Sequence, residues 1–130
     1  MSAVETQTDA VNQTLAAGTY YYGVGGDVDV SRSAHFKWDA SLVATITIED
    51  TNFPDVALDS VVSGEWIQEN PSSAYVAVNG GSASGLTITV PGGFPGGAMV
   101  HLSSFGSRRL RAKVVVSTQG ALRLRNHGKE

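Results

Sequence analysis

Few residues of this 130-residue chain combine a type and a spacing that do chemistry. His35, His101 and His127 lie far apart, and none forms a ligand-spaced pair; with no cysteine in the chain, a zinc site needs all three to converge beside a carboxylate. His101, set among apolar residues, reads as a half-buried strand residue. Asp27-Val-Asp-Val-Ser31 opens like a calcium loop, but Arg32 stands at the glycine position and Trp38 at the position of the bidentate glutamate. Strand alternation accounts for Asp27, Asp29 and Ser31 as one solvent face. Gly81-Ser-Ala-Ser-Gly85 places Ala83 where a nucleophile elbow has serine. Asp39, Glu49, Glu65 and Glu69 are candidates for paired carboxylates, yet a chain of this length gives little frame for a catalytic cleft. No phosphate-binding loop or dinucleotide fingerprint is present. The expectation is a protein that is not an enzyme, with no metal, no cofactor and no small-molecule substrate. Trp38 and Trp66 suit a sugar-stacking platform if both are exposed, but Phe36 and Trp38 share one strand face, which fits core packing more simply.

The elements that position these residues read as strands. Fifteen glycines and four prolines interrupt any long helix, at about 1 kcal/mol per interior Gly and 3 per Pro. Leu42, Ala44, Ile46 and Ile48 alternate with Val43, Thr45, Thr47 and Glu49, and Leu110, Ala112, Val114 and Val116 alternate with Arg111, Lys113, Val115 and Ser117. Further strands are expected at Thr19–Tyr22, Asp27–Val30, His35–Asp39, Ala74–Val78, Leu86–Val90, Ala98–Leu102 and Ala121–Arg125. Val56–Leu58 and Val61–Val62 read as short strands or an extended link, and Asn79-Gly80-Gly81 as a hairpin-type stop. Residues 1–18 are polar; Val4, Val11 and Leu15 permit a short amphipathic helix, with an extended or disordered arm as the expected state. The predicted architecture is an arm at 1–18 and one all-β domain at 19–130, an antiparallel β-sandwich or jelly roll. No apolar run approaches a membrane span, and the start does not read as a signal peptide.

Charge is segregated. Residues 1–69 hold eleven acidic and two basic groups, residues 70–107 none, and residues 108–130 seven basic groups and one acidic, which gives −9, 0 and +6. Uncharged loops, Asn79–Gly85 and Pro91–Gly97 with Phe94 at its centre, suit close docking because charged side chains are depleted at interface centres. For the basic end, intramolecular pairing with acidic strands and contact with an acidic partner both stand. Arg111 and Lys113 fit pairing. Arg108 and Arg109, in a turn, fit contact better; Arg123 and Arg125 alternate with leucines and join them as candidate partner-binding residues. Nucleic acid is not expected, since the sequence pI is near 5.5 and no basic-aromatic RNA-binding pattern occurs.

The run His35-Phe-Lys-Trp-Asp-Ala-Ser-Leu-Val-Ala-Thr-Ile-Thr-Ile-Glu-Asp-Thr-Asn-Phe-Pro-Asp55, followed by Gly64-Glu-Trp-Ile-Gln-Glu-Asn-Pro71, resembles capsid decoration (cementing) proteins of tailed bacteriophages. The similar stretch covers about a third of the chain. The resemblance implies a small, disulfide-free jelly roll or β-tulip made in the host cytoplasm and carried on the outer capsid surface. Such a protein binds the major capsid protein, self-associates as a dimer or trimer, ties capsomers together and has no turnover. It brings no residue-level site with it. A phage tail or head-fibre accessory domain and a small carbohydrate-binding module are the alternatives.

Overall fold

The computed structural model describes residues 5–24, 31–71, 74–102, 105 and 109–129, with the backbone alone at 5–8, 31, 128 and 129. Among the described residues ten strands are formed: β1 (Glu5–Leu15), β2 (Gly18–Gly23), β3 (Ser31–Trp38), β4 (Val43–Thr51), β5 (Tyr75–Asn79), β6 (Ser82–Ser84), β7 (Thr87–Val90), β8 (Gly96–His101), β9 (Arg109–Thr118) and β10 (Gly120–Lys129). They form two five-stranded sheets, of order β1-β10-β3-β8-β5 and β2-β9-β4-β7-β6. The chain is an all-β sandwich, as its composition predicts.

The pairing is nested. β1 pairs with β10, β2 with β9, β3 with β8 and β4 with β7, all antiparallel, so that the first half of the chain lies along the returning second half. β10 also pairs with β3, and β9 with β4, which rolls this long folded ribbon into two sheets. That is the connectivity of a jelly roll. β5 and β6 are inserted between β4 and β7 and extend one side of the sandwich.

Alternation decides which face is buried. Ala44, Ile46 and Ile48 of β4 meet Ala112, Val114 and Val116 of β9 across their ladder, and all six point into the sandwich. Phe36 and Trp38 of β3, Val100 of β8 and Leu122 and Leu124 of β10 fill the facing layer. Burying each large apolar side chain contributes about 1.5–3 kcal/mol. Trp66 is buried as well, so neither tryptophan offers an exposed ring for stacking a sugar.

Three expectations are corrected. Residues 5–15 are not a free arm but the edge strand β1, with Val11 and Leu15 in the core. The register of β1 slips between Asp9 and Val11, so a bulge adjusts which side chains turn inward. Asn79-Gly80-Gly81 does not close a hairpin: β5 and β6 lie in different sheets, and the turn carries the chain from one to the other. Gly80 has φ +78°, and a Cβ there would stand 2.7 Å from the Pro95 carbonyl oxygen, so the crossing needs glycine. Val56–Leu58 and Val61–Val62 form no strand; they belong to an irregular excursion between β4 and β5. The strand expected at Asp27–Val30, with the calcium-like Asp27 and Asp29, lies outside the described residues.

Candidate functional site

The excursion at 52–71 is the part of the surface whose construction goes beyond what the sandwich needs. It leaves β4, loops out, and returns to it at a bridge between Asp50 and Ile67, closed by backbone hydrogen bonds of 2.8 and 2.9 Å. Asn70 then accepts a hydrogen bond from the Leu86 amide through Oδ1 at 2.9 Å, and the Gln68 amide donates to Thr87 Oγ1 at 2.7 Å. Within the loop the Ser60 hydroxyl donates to Glu65, and the Trp66 indole donates to the Ala57 carbonyl at 3.0 Å.

Two arginines of β9 brace it from beneath. Arg111 points out of the second sheet but is only 4% exposed, because the excursion folds over it. Its Nε pairs with Glu49 Oε1 at 2.9 Å, and its Nη1 donates to the carbonyls of Leu58 and Ser60, both at 2.7 Å. The guanidinium carbon lies 4.4 Å from the ring centre of Tyr21 and 4.5 Å from that of Trp66. Arg109 donates to the carbonyls of Phe53 (3.0 Å) and Val56 (2.7 Å) and stands over the same Trp66 ring at 5.3 Å. Backbone carbonyls of an irregular loop are thus satisfied by the planar donor sets of two arginines.

The surface held this way is apolar and acidic. Val61 is 79% exposed, and Phe53, Val62 and Ile67 are exposed alongside it. Asp55, Asp59, Glu65 and Glu69 lie in the same stretch, which contains no Lys or Arg. Such an arrangement can bind a complementary surface. Among the described residues no group of three or more His, Asp or Glu is arranged to hold a metal.

The residues singled out from the sequence do not form one surface. Arg109 sits opposite Thr51, at the end of β4 from which the excursion leaves, and its Nη1 donates to carbonyls of its own chain. Phe94 is exposed in the loop between β7 and β8, whose Gly93 amide bonds to the Ala40 carbonyl before the other end of β4. Arg123 and Arg125 project from the outer face of the first sheet toward Asp9 of β1, at 3.2 and 3.4 Å. Arg108 lies outside the described residues. The excursion itself was hidden in the sequence because its anchors are carbonyls about fifty residues from the arginines that bind them. Trp66, the bridging Ile67 and Asn70 all lie in the segment Gly64–Pro71, whose residue order gave no sign of those contacts.

The hydrogen bond from Arg123, joined by the charges of Arg123 and Arg125, holds the Asp9 carboxyl below its usual range against the opposing effect of desolvation. Because the folded-state pKa is depressed, this pairing favours the fold above the unfolded pKa and is lost as pH falls through the folded one. Arg123→Ala is expected to raise the Asp9 carboxyl pKa toward the free value, as read by carboxyl-carbon NMR titration. An unmoved pKa would show that the ion pair does not persist in solution.

No protein-family model matches the chain, and comparisons with curated proteins and with solved structures give no significant match.

Proposed function

We propose that this chain is a non-enzymatic virion structural protein, a decoration protein that binds the outer surface of a capsid and stabilises contacts between capsomers. The observation that carries the reading is the pre-organised excursion: exposed Phe53, Val61, Val62 and Ile67, framed by carboxylates and fixed from below by Arg109 and Arg111. Ordering a loop before contact removes an entropy cost that binding would otherwise meet. A mixed apolar and acidic rim suits a capsid surface of opposite charge, where complementarity sets orientation. Many identical sites on one shell then let modest single contacts act jointly. The resemblance of residues 35–55 and 64–71 to cementing proteins supports the same reading, since these residues comprise half of β3, all of β4 and parts of the excursion. The partner is the major capsid protein, with the decoration protein arrayed as a dimer or trimer on the outer shell.

Co-sedimentation with purified capsids that lack the protein tests this. The wild type is expected to pellet with capsids, and Val61→Asp combined with Val62→Asp to weaken that binding by roughly a hundredfold, the loss typical of a central apolar contact of about 2–3 kcal/mol. Arg123→Glu, on the opposite sheet, should leave it unchanged. Undiminished pelleting of the double variant rejects this contact surface, and a wild type that pellets with no shell rejects the function.

A further inference from the structure

The outer face of the first sheet, opposite the excursion, carries a second feature that capsid attachment does not use. Side chains of three adjacent strands line a shallow trough of about 420 Å³. The register places His35, Met99 and Ala77 in one cross-strand row, and Lys37, Gly97 and Asn79 in the next. The hollow exists because Gly97 has no side chain between Lys37 and Asn79, and because Ala77 is short beside Met99. A Cβ at Gly97 would stand 2.8 Å from the Phe36 carbonyl oxygen, so the trough floor is fixed by the backbone. One row further, about 7 Å along the strands, Tyr75 and His101 stack with ring centres 4.2 Å apart, and Tyr75 remains 56% exposed.

The electrostatics of this face run against those of the chain. The protein is net negative, yet β10, β3, β8 and β5 contain no Asp or Glu at all. Among the described side chains their outward cations are Lys37, at the trough wall, and Arg125 and Arg123, which stand opposite His35 and Lys37 on β10. At the far edge the Asp9 carboxylate of β1 is shared between the two arginines.

We propose that this trough binds an acidic polysaccharide, a chain of sugars bearing uronate carboxylates. Lys37 meets a carboxylate, and the Asn79 amide meets ring hydroxyls. The exposed Tyr75 ring, stacked on His101, offers an apolar plate to the C–H face of a pyranose. An open trough on a flat sheet admits a polymer passing through, where a closed pocket would select a chain end. The exposed ring and the amide suit pyranose rings, and the modest cation density does not suit the backbone of a nucleic acid, which needs many simultaneous Lys and Arg contacts.

Isothermal titration with oligogalacturonate, with a neutral cello-oligosaccharide of equal length and with single-stranded DNA tests the proposal. Oligogalacturonate is expected to bind the wild type, and more tightly than either comparison ligand. Tyr75→Ala and Lys37→Glu should each weaken it by about three- to tenfold, as expected for one ring contact or one exposed charge contact. Ala77→Glu, which puts a carboxylate into the trough from an exposed position, should abolish it. All three positions are exposed, so matched thermal unfolding separates lost binding from lost folding. No binding of oligogalacturonate, binding unaffected by the three substitutions, equal affinity for the neutral sugar, or tighter binding of DNA would each overturn the assignment. Because the trough and the excursion occupy opposite faces, the capsid assay reads neither result.

Discussion

Deletion of residues 1–15 is expected to abolish cooperative folding. Were these residues an arm, the truncation would be harmless. In the jelly roll they include β1, the first partner in the nested series, and every residue of β1 except the bulged Ala10 has a Cα partner on β10. Removing it takes Val11 and Leu15 from the core, about 1.5–3 kcal/mol each. It also strips the ladder from one edge of β10, where each hydrogen bond is worth about 0.5–1.5 kcal/mol net. Together these losses reach the whole stability of an ordinary domain, about 5–15 kcal/mol. The newly bared β10 edge, carrying Leu122 and Leu124 on its inner face, becomes a template for pairing with other chains. Near-ultraviolet circular dichroism and thermal unfolding are the measurements. A truncated chain that still melts in one sharp transition within a few degrees of the full one would show that β1 adds little to the fold.

The strands with two distinct faces were legible from residue order. In β4 and β9 the alternation of aliphatic with polar residues fixes the inner face, and the structure buries Ala44, Ile46, Ile48, Ala112, Val114 and Val116. β1 was not legible, for a physical reason: its two described core residues, Val11 and Leu15, are four apart, a spacing that serves both a helix turn and a strand face. Its remaining residues are polar because an edge strand leaves much of its surface in water. Segregated charge was legible but its destination was divided. Arg123 and Arg125 share Asp9 across neighbouring strands, and Arg111 takes Glu49, while no ladder of the second sheet reveals that an irregular loop will close over Arg111. The uncharged stretch 70–107, read as strands and docking loops, also supplies Ala77, Asn79, Gly97 and Met99 to the trough. A trough is a product of register, and register between strands sixty residues apart is not written in either strand alone.

Arg111→Met is expected to destabilise the protein by about 3 kcal/mol and to open the excursion to protease before the sandwich unfolds. Methionine keeps the stem of the side chain but removes every donor. Glu49 then loses its guanidinium partner at a mostly buried position, and the carbonyls of Leu58 and Ser60 lose the Arg111 donor. Breaking one side of a buried ion pair costs about 3–5 kcal/mol, and the partial exposure of Glu49 places this case at the lower end. The stacking of the guanidinium between Tyr21 and Trp66 is lost with the same atoms. Arg111→Lys should recover only part of the stability, because an ammonium cannot present the planar fork that reaches Glu49 and both carbonyls together. Arg109→Met should be milder, since Arg109 is less buried and binds carbonyls without a carboxylate. The order of midpoints in urea is therefore wild type, Arg109→Met, Arg111→Lys, then Arg111→Met. New protease cuts should fall between Phe53 and Glu65 in the last. Because the exposed side chains of the excursion form the proposed capsid contact, capsid affinity should fall in the same order. A variant that loses stability but keeps full affinity would show that the apolar contact does not depend on the loop being held in advance.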